Sequence, residues 1–377
     1  MNQNYNISLN RRQYIYSIII LGFLGTISLV AGIKNAILRN TDFQISGSRL
    51  FTKGENPYLY FLDGNINSEL LSPPNYLHQL YALMAPLTIF NDETSRLLWA
   101  IINTALAIWC CFELCKLANR TSFFWLILLF FFMSLPFRNG LGNNQNQILI
   151  LTFFILSMKA RQSKTIGFFG ALTFLKYSFC GSWIGMNIRR NLKSVIWSGL
   201  FTIFFIGIGA FWISSGDIMI DIFGPMLVSK DNVSEGFCDI FTITTSLFGS
   251  QFKFLLAIFL FILNIFIVDR ILKNSKNILF ILAIGGVTSL MFLPHLIYDG
   301  VFLLPALIFL ISRGGLASLL GLSIIIYNWQ VLKIIYILGF DDSIALKIFH
   351  LFAYIILLKC LIISEKKNFK PLLNIIS

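Results

Sequence analysis

The chain has 377 residues, 56% of them hydrophobic and 12% charged, with a mean hydropathy of +0.77 and a formal net charge of +12. About a quarter of the residues in a soluble domain are charged, so the composition excludes an ordinary soluble fold and points to an all-α integral membrane protein. The positive excess fits inner loops rich in Lys and Arg that touch anionic lipid; no basic module interleaved with aromatics is present, so nucleic acid is not an expected partner.

A membrane span needs about 20 apolar residues. Such segments fall near 14–33, 95–117, 122–137, 144–159, 194–213, 253–270, 277–294, 301–312, 315–335 and 344–363. The first lacks a small-residue cleavage site and reads as a retained helix. The segments run nearly end to end, so one polytopic domain over 1–377 is expected, with long outer loops at 34–94 and 214–251. The stretch 76–90 is too short to span easily and is interrupted by Pro86, which predicts a surface or re-entrant helix packed on the bundle. The stretch 165–188 holds two half-length apolar pieces with basic clusters on both flanks. Two half-helices meeting near Lys176 would let the chain enter and leave on one face, as broken helices do when buried in protein or lining a wet cavity; a plain two-span hairpin is the alternative.

Orientation follows from charge. The N-terminus, 116–120, 159–164, 189–193, 270–276, 313 and 359–370 hold 18 of the 29 Lys and Arg. Placing them in the cytoplasm puts both termini inside and both long loops outside. The six cysteines form neither a disulfide framework nor a metal spacing: five lie in apolar segments and Cys238 in a polar loop. No phosphate-binding glycine loop, no DxD and no Ser–His–Asp set is visible, so a donor need not be a nucleotide; no cofactor is expected, and dependence on a divalent metal is left open.

Polar residues cluster in four places. The first is 41–74, where Asp42 follows the first span; a carboxylate at that boundary suits a general base, or a helix cap or solvated charge. Within it, Gly54 to Tyr58 reads as a turn, and Tyr58 suits stacking on a sugar ring or anchoring at the interface. The second is 138–147, where Arg138 precedes four asparagines and two glutamines, Asn144 and Gln145 among them. Amides suit sugar hydroxyls and arginine suits phosphate; capping within a turn is the plainer role. The third is 294–300, where His295 and Asp299 stand four apart and share a face on a helical turn, as an orienting pair, with one of them on a phosphate or a metal (one histidine and one carboxylate being a weak metal signature), or as structure alone. The fourth is Lys176, costly at membrane depth and therefore a functional candidate, or else a side chain snorkelling to the inner interface.

The order of these clusters resembles glycosyltransferase family 87, membrane enzymes of the GT-C type related to polyprenol-phosphate-mannose-dependent mannosyltransferases. The resemblance rests on Asp42–Phe43, Gly54–Glu55–Asn56–Pro57–Tyr58, Pro73–Pro74 and Pro86, then the turn Asn144–Gln145–Asn146–Gln147, the helix ending at Lys176, and Pro294–His295 with Tyr298–Asp299. At 144–147 the family's glycine and asparagine are replaced. The resemblance implies a bundle of about ten to twelve transmembrane helices with short or re-entrant ones. It implies a polyprenyl-phosphate sugar donor, mannose foremost, and a glycolipid or envelope-glycan acceptor. Asp42 is implied as the base of an inverting transfer on the outer face of the cell membrane, with Arg138, Lys176 and His295 as candidates to neutralise the leaving phosphate. A flippase of lipid-linked sugars, or a glycan polymerase or ligase centred on the carboxylates of 214–251, are the other readings.

Overall fold

The computed structural model describes residues 7–38, 44–65, 70, 72–232, 239–249, 251–331, 344–366 and 373–376. They are helical almost throughout; two four-residue strands near the chain ends, Ile7–Asn10 and Leu373–Ile376, pair in parallel.

Helix α1 (Arg11–Leu38) has 28 residues, about 42 Å at 1.5 Å per residue, enough for a hydrocarbon core of roughly 30 Å. Only Gly25, Gly32 and Ala36 are buried along it, where the missing side chains admit Leu129 and Leu141 of its neighbour. Ile19, Phe23, Ile27 and Val30 stay exposed on the protein, the pattern of a helix whose other faces meet lipid.

The first long loop folds into α2 (Ile45–Thr52), α3 (Pro57–Leu62), α4 (His78–Met84) and a 3-10 turn at Ala85–Ile89. Gly54 takes φ +78°, a conformation that favours glycine. Asn56 then caps α3, its side-chain oxygen accepting from the Tyr58 and Leu59 amides, with Pro57 in the first turn. Helix α5 (Asp92–Leu117) starts under an Asn91 cap with Asp92 and Glu93 in its first turn, both favourable at the positive helix end.

Helices α6 (Phe124–Met133) and α7 (Leu135–Gly142) meet at 62°. The bend has a local cause: Ser134 is extended, its hydroxyl accepts from the Phe137 amide, and Pro136 sits in the first turn of α7. Then come α8 (Gln147–Lys159) and two half-length helices, α9 (Ser163–Thr173) and α10 (Cys180–Asn187), on either side of Lys176. Helix α11 (Leu192–Trp212) leads to the second loop, which contains α12 (Ile218–Asn232) and α13 (Ile240–Phe248). Helix α14 (Lys253–Leu272) follows, then α15 (Ile278–Phe292), a 3-10 turn at Ile297–Leu303, α16 (Leu304–Ser312), α17 (Leu316–Ile326) and α18 (Ile344–Lys366).

Among the described residues five helices, α1, α5, α11, α14 and α18, are long and apolar enough to cross a membrane, or six if the bent pair α6–α7 is one span. The other expected spans are shorter apolar helices. Helix α15 is buried along nearly its whole length and forms the centre, against which α10, α14, α16 and α18 pack.

Candidate active site

One end of the bundle gathers the polar clusters. The first loop is tied down by Gln44, 1% exposed, whose amide donates to Ser72 Oγ at 2.8 Å and Pro73 O at 3.2 Å while its oxygen accepts from the Tyr81 hydroxyl at 3.3 Å. The same loop is joined to the second. Asn56 Nδ2 donates to Asp221 Oδ1 at 2.6 Å, His78 Nε2 lies 2.7 Å from Asp221 O, and Trp212 Nε1 donates to Phe51 O at 2.6 Å. Asp221 also accepts from the Ser215 amide and hydroxyl. The two loops thus form one cap with its own apolar centre of Phe51, Tyr58, Tyr81, Ile213 and Val228.

The amide-rich turn after α7 sits under that cap. Asn144 adopts φ +52°, a region where asparagine is one of the few tolerated side chains. Its amide donates to Ala36 O at 2.8 Å and its carbonyl accepts from Trp99 Nε1 at 3.0 Å. The Gln145 side-chain oxygen accepts from Tyr76 OH at 3.2 Å and Gln147 Nε2 at 3.1 Å. The turn therefore joins the end of α1, the start of α5 and the first loop through buried hydrogen bonds, each costly to leave unmade.

Lys176 stands between α9 and α10 at this same end, beside the Leu175 carbonyl that accepts from the Leu77 amide at 3.4 Å. Its Nζ is 2.5 Å from Asp299 Oδ2, and the ammonium also lies 5.8 Å from the Phe179 ring centroid and 5.4 Å from that of Tyr298. Asp299 is fully buried and its Oδ2 accepts from the Leu296 amide at 2.8 Å. A carboxylate so placed needs both partners to offset its desolvation. Phe179 stacks on Phe302 at 4.0 Å between centroids, which fixes the turn of Lys176 on the turn of Asp299. Helix α7 packs on that same 3-10 turn, with Gly140 beside Tyr298. Arg138, two residues before Gly140, is half-buried, and no carboxylate among the described residues pairs with it.

His295 is 2% exposed and its Nδ1 stands 3.6 Å from Asp239 Oδ2, beyond hydrogen-bond length. Burial lowers the His295 pKa to about 3, helped by the nearby Lys176 charge. Burial raises the Asp239 pKa to about 6, opposed by the Thr242 amide and hydroxyl it accepts from. At neutral pH the contact is a carboxylate facing a neutral imidazole. Among the described residues no three His, Cys, Asp or Glu side chains converge as a metal ion would require.

The model of glycosyltransferase family 87 matches residues 79–294, more than half of the chain. The chain belongs to glycosyltransferase family 87. In this family 87 glycosyltransferase the matched stretch runs from α4 to the turn after α15 and includes Arg138, Asn144, Gln145 and Lys176. No curated protein and no solved structure matches the chain.

The family 87 site brings some expected residues together and relocates others. Asp42 and Phe43 lie outside the described residues. Tyr58 is fully buried, donates from its hydroxyl to Tyr76 O at 2.9 Å and packs edge-on to His78 and Tyr81; no ring face is open to a sugar. His295 lies in the non-helical stretch before the 3-10 turn that carries Asp299, so the two do not share a helical face as their spacing suggests: Asp299 takes Lys176, and His295 faces Asp239. Lys176 does not snorkel inward; its charge is held at the end that carries the polar turns. Asn144 and Gln145 are 0% and 1% exposed and bind the fold. Asp221 and Asp239 organise the site although the sequence marks them only as part of the acidic run in 214–251, and Tyr76 does so with no signal in the sequence.

Proposed function

We propose that this glycosyltransferase moves a hexose or pentose, mannose foremost, from a polyprenyl-phosphate donor to a lipid-linked or envelope-glycan acceptor, on a GT-C-type bundle whose polar end faces away from the cytoplasm. Asp42 takes the proton of an acceptor hydroxyl. That oxygen bonds to the anomeric carbon as the bond from this carbon to the phosphate oxygen breaks, with inversion, and the polyprenyl phosphate leaves. The donor phosphodiester already carries one negative charge, and the leaving phosphate gains a second that needs neutralising as it develops.

The observation that carries the reading is Lys176, its ammonium held on the buried Asp299 of the turn 297–303, at the end where Gln44, two residues after Asp42, is anchored and where α7, the helix that carries Arg138, packs on the same turn. Arg138 presents a planar donor fork suited to phosphate, and Lys176, still 17% exposed beside Asp299, adds a point charge. His295 is neutral at physiological pH and buried, so it acts on the site through its surroundings.

The test is transfer of labelled sugar from polyprenyl-phosphate donors to membrane lipids or glycans, in membranes with matched amounts of wild type and Asp42→Asn. Loss of transfer with donor binding kept supports the reading. Equal transfer in both sinks Asp42 as base and moves attention to the carboxylates of 214–251. Donor-sugar translocation without transfer would put a flippase in its place.

A further inference from the structure

The end of the bundle opposite the polar turns carries a second polar site that the transfer reaction does not use. Helix α5 starts beside Arg49, whose guanidinium binds Asp92 at 2.5 Å, and ends at Leu117. Helix α15 ends at the turn that holds His295 and Asp299 and starts after Asn277. The 15 residues of α15 separate the two ends by about 22 Å. Where the far ends of α5, α15 and α16 meet, a cleft of about 290 Å³ opens, lined by Leu117, Asn119, Arg120, Asn277, Ser312 and Arg313.

Its chemistry is that of an oxyanion site. Two guanidiniums and two amides line one space, while the Ser312 hydroxyl is spent on Phe309 O at 2.7 Å. The carboxylate nearest to them, Glu365, is already engaged: its Oε2 accepts from Arg313 at 2.9 Å and Asn277 Nδ2 at 3.1 Å, and its Oε1 from Ser275 Oγ at 3.3 Å. Lys116 in the last turn of α5 and Arg190, bonded to Ser275 O, add positive charge nearby. Asn119 holds φ +54° and the Arg120 amide closes on Cys115 O at 2.8 Å, so the loop that presents Arg120 is fixed by the end of the helix. Size narrows the ligand. At about 290 Å³ the cleft is more than a lone phosphate fills. It opens where apolar helices end, the level of lipid headgroups.

We propose that this cleft binds the phosphate of an anionic phospholipid headgroup in the leaflet opposite the transfer site, with Arg120 as its main contact. Basic pockets between transmembrane helices bind such headgroups on the cytoplasmic side, and guanidinium matches phosphate in bidentate fashion.

The experiment uses the full-length protein, purified and delipidated in a neutral detergent. Phosphatidylglycerol, phosphatidylcholine and inorganic phosphate are titrated separately, with thermal unfolding and native mass spectrometry of retained lipid as readouts. Phosphatidylglycerol should raise the unfolding temperature and stay bound, and phosphatidylcholine should do neither. Arg120→Gln should weaken phosphatidylglycerol roughly tenfold, the size of one lost charge-assisted contact. Arg161→Gln removes an exposed charge outside the cleft and should change nothing. Asn119→Asp, which tolerates the same backbone, sets a carboxylate at the rim and should weaken binding with Arg120 intact, so a misfolded Arg120 variant does not decide the matter. Unchanged binding in Arg120→Gln and Asn119→Asp, or equal binding of phosphatidylcholine, overturns the site. An equal stabilisation by inorganic phosphate, lost in Arg120→Gln, overturns the lipid and leaves a soluble phosphate ligand.

Discussion

Asn56 of the first long loop and Asp221 of the second, 165 residues apart, share a buried 2.6 Å hydrogen bond. Asn56 spends its oxygen capping α3 and its nitrogen on Asp221, so one side chain both starts a helix and joins the loops. Asp221→Ala strips the partner from Asn56 and from the Ser215 amide and hydroxyl together. A loss of about 3 kcal/mol in stability is expected, since each buried group left unmade costs roughly 1–3 kcal/mol. Asn56→Ala should cost less, and the double variant less than the sum of the two, because both act on one contact. Thermal unfolding of the three variants checks this; strict additivity would mean that the loops fold independently.

The Lys176–Asp299 pair allows structure and chemistry to be separated. Lys176→Met leaves a fully buried carboxylate without its cation and is expected to cost about 3–5 kcal/mol and abolish transfer. Adding Asp299→Asn removes that stranded charge while the new amide oxygen still accepts from Leu296. The double variant should regain most of the stability. If Lys176 neutralises the leaving phosphate, transfer stays lost in this refolded protein. Recovery of transfer together with stability would assign Lys176 to the fold alone.

The helical frame was legible because hydropathy is a local property: the long apolar runs became helices, except that 122–137 breaks at Ser134 into α6 and α7, and the break expected near Lys176 separates α9 from α10. What was not legible was every contact made across the chain. Asp299 was expected to work with His295, four residues away, because spacing on a turn is visible in a sequence; its actual partner lies 123 residues upstream. Tyr58 carries the same aromatic signature whether it faces a sugar, lipid or protein, and only packing against His78 and Tyr81 distinguishes them. The amides of 144–147 announced a polar site, but amides also satisfy buried backbone, as Asn144 does at Ala36.

That burial makes Tyr58 a structural residue with a measurable signature. Tyr58→Phe loses one hydrogen bond, that to Tyr76 O, and should cost about 1 kcal/mol with the donor KM unchanged. Tyr58→Ala empties the centre of the cap and should cost about 3–5 kcal/mol. A Tyr58→Phe enzyme with normal stability and a strongly raised donor KM would return Tyr58 to the substrate.

Asp239 and His295 act oppositely on stability as pH changes. Asp239 titrates near 6 when folded, above its ordinary value near 4, so between those values the native state holds the extra proton and stability falls as pH rises. His295 titrates near 3 when folded against about 6.5 unfolded, so there the unfolded state holds the extra proton and stability rises with pH. From about pH 4 to 6 the two trends offset each other. Asp239→Asn removes the falling one, so its unfolding temperature should climb more steeply with pH across that window than that of the wild type. A parallel pair of curves would show that Asp239 titrates normally in the native state.

The closest test of the broken helix is Gly167. A Cβ built there would stand 2.8 Å from the Ser194 carbonyl oxygen and 2.9 Å from the Ser198 nitrogen, both backbone atoms of α11 that no rotamer change can move. Gly167→Ala must therefore separate α9 from α11, at a cost of about 1–3 kcal/mol or more for overpacking. Because α9 ends at the turn that presents Lys176, the shift should reach the site: transfer is expected to fall more than stability alone explains, measured at a temperature where the variant remains folded. Gly199→Ala on α11, where an added Cβ meets nothing within 4 Å, is the matched control and should leave both unchanged. Equal behaviour of the two variants would mean that the α9–α11 contact has room to spare.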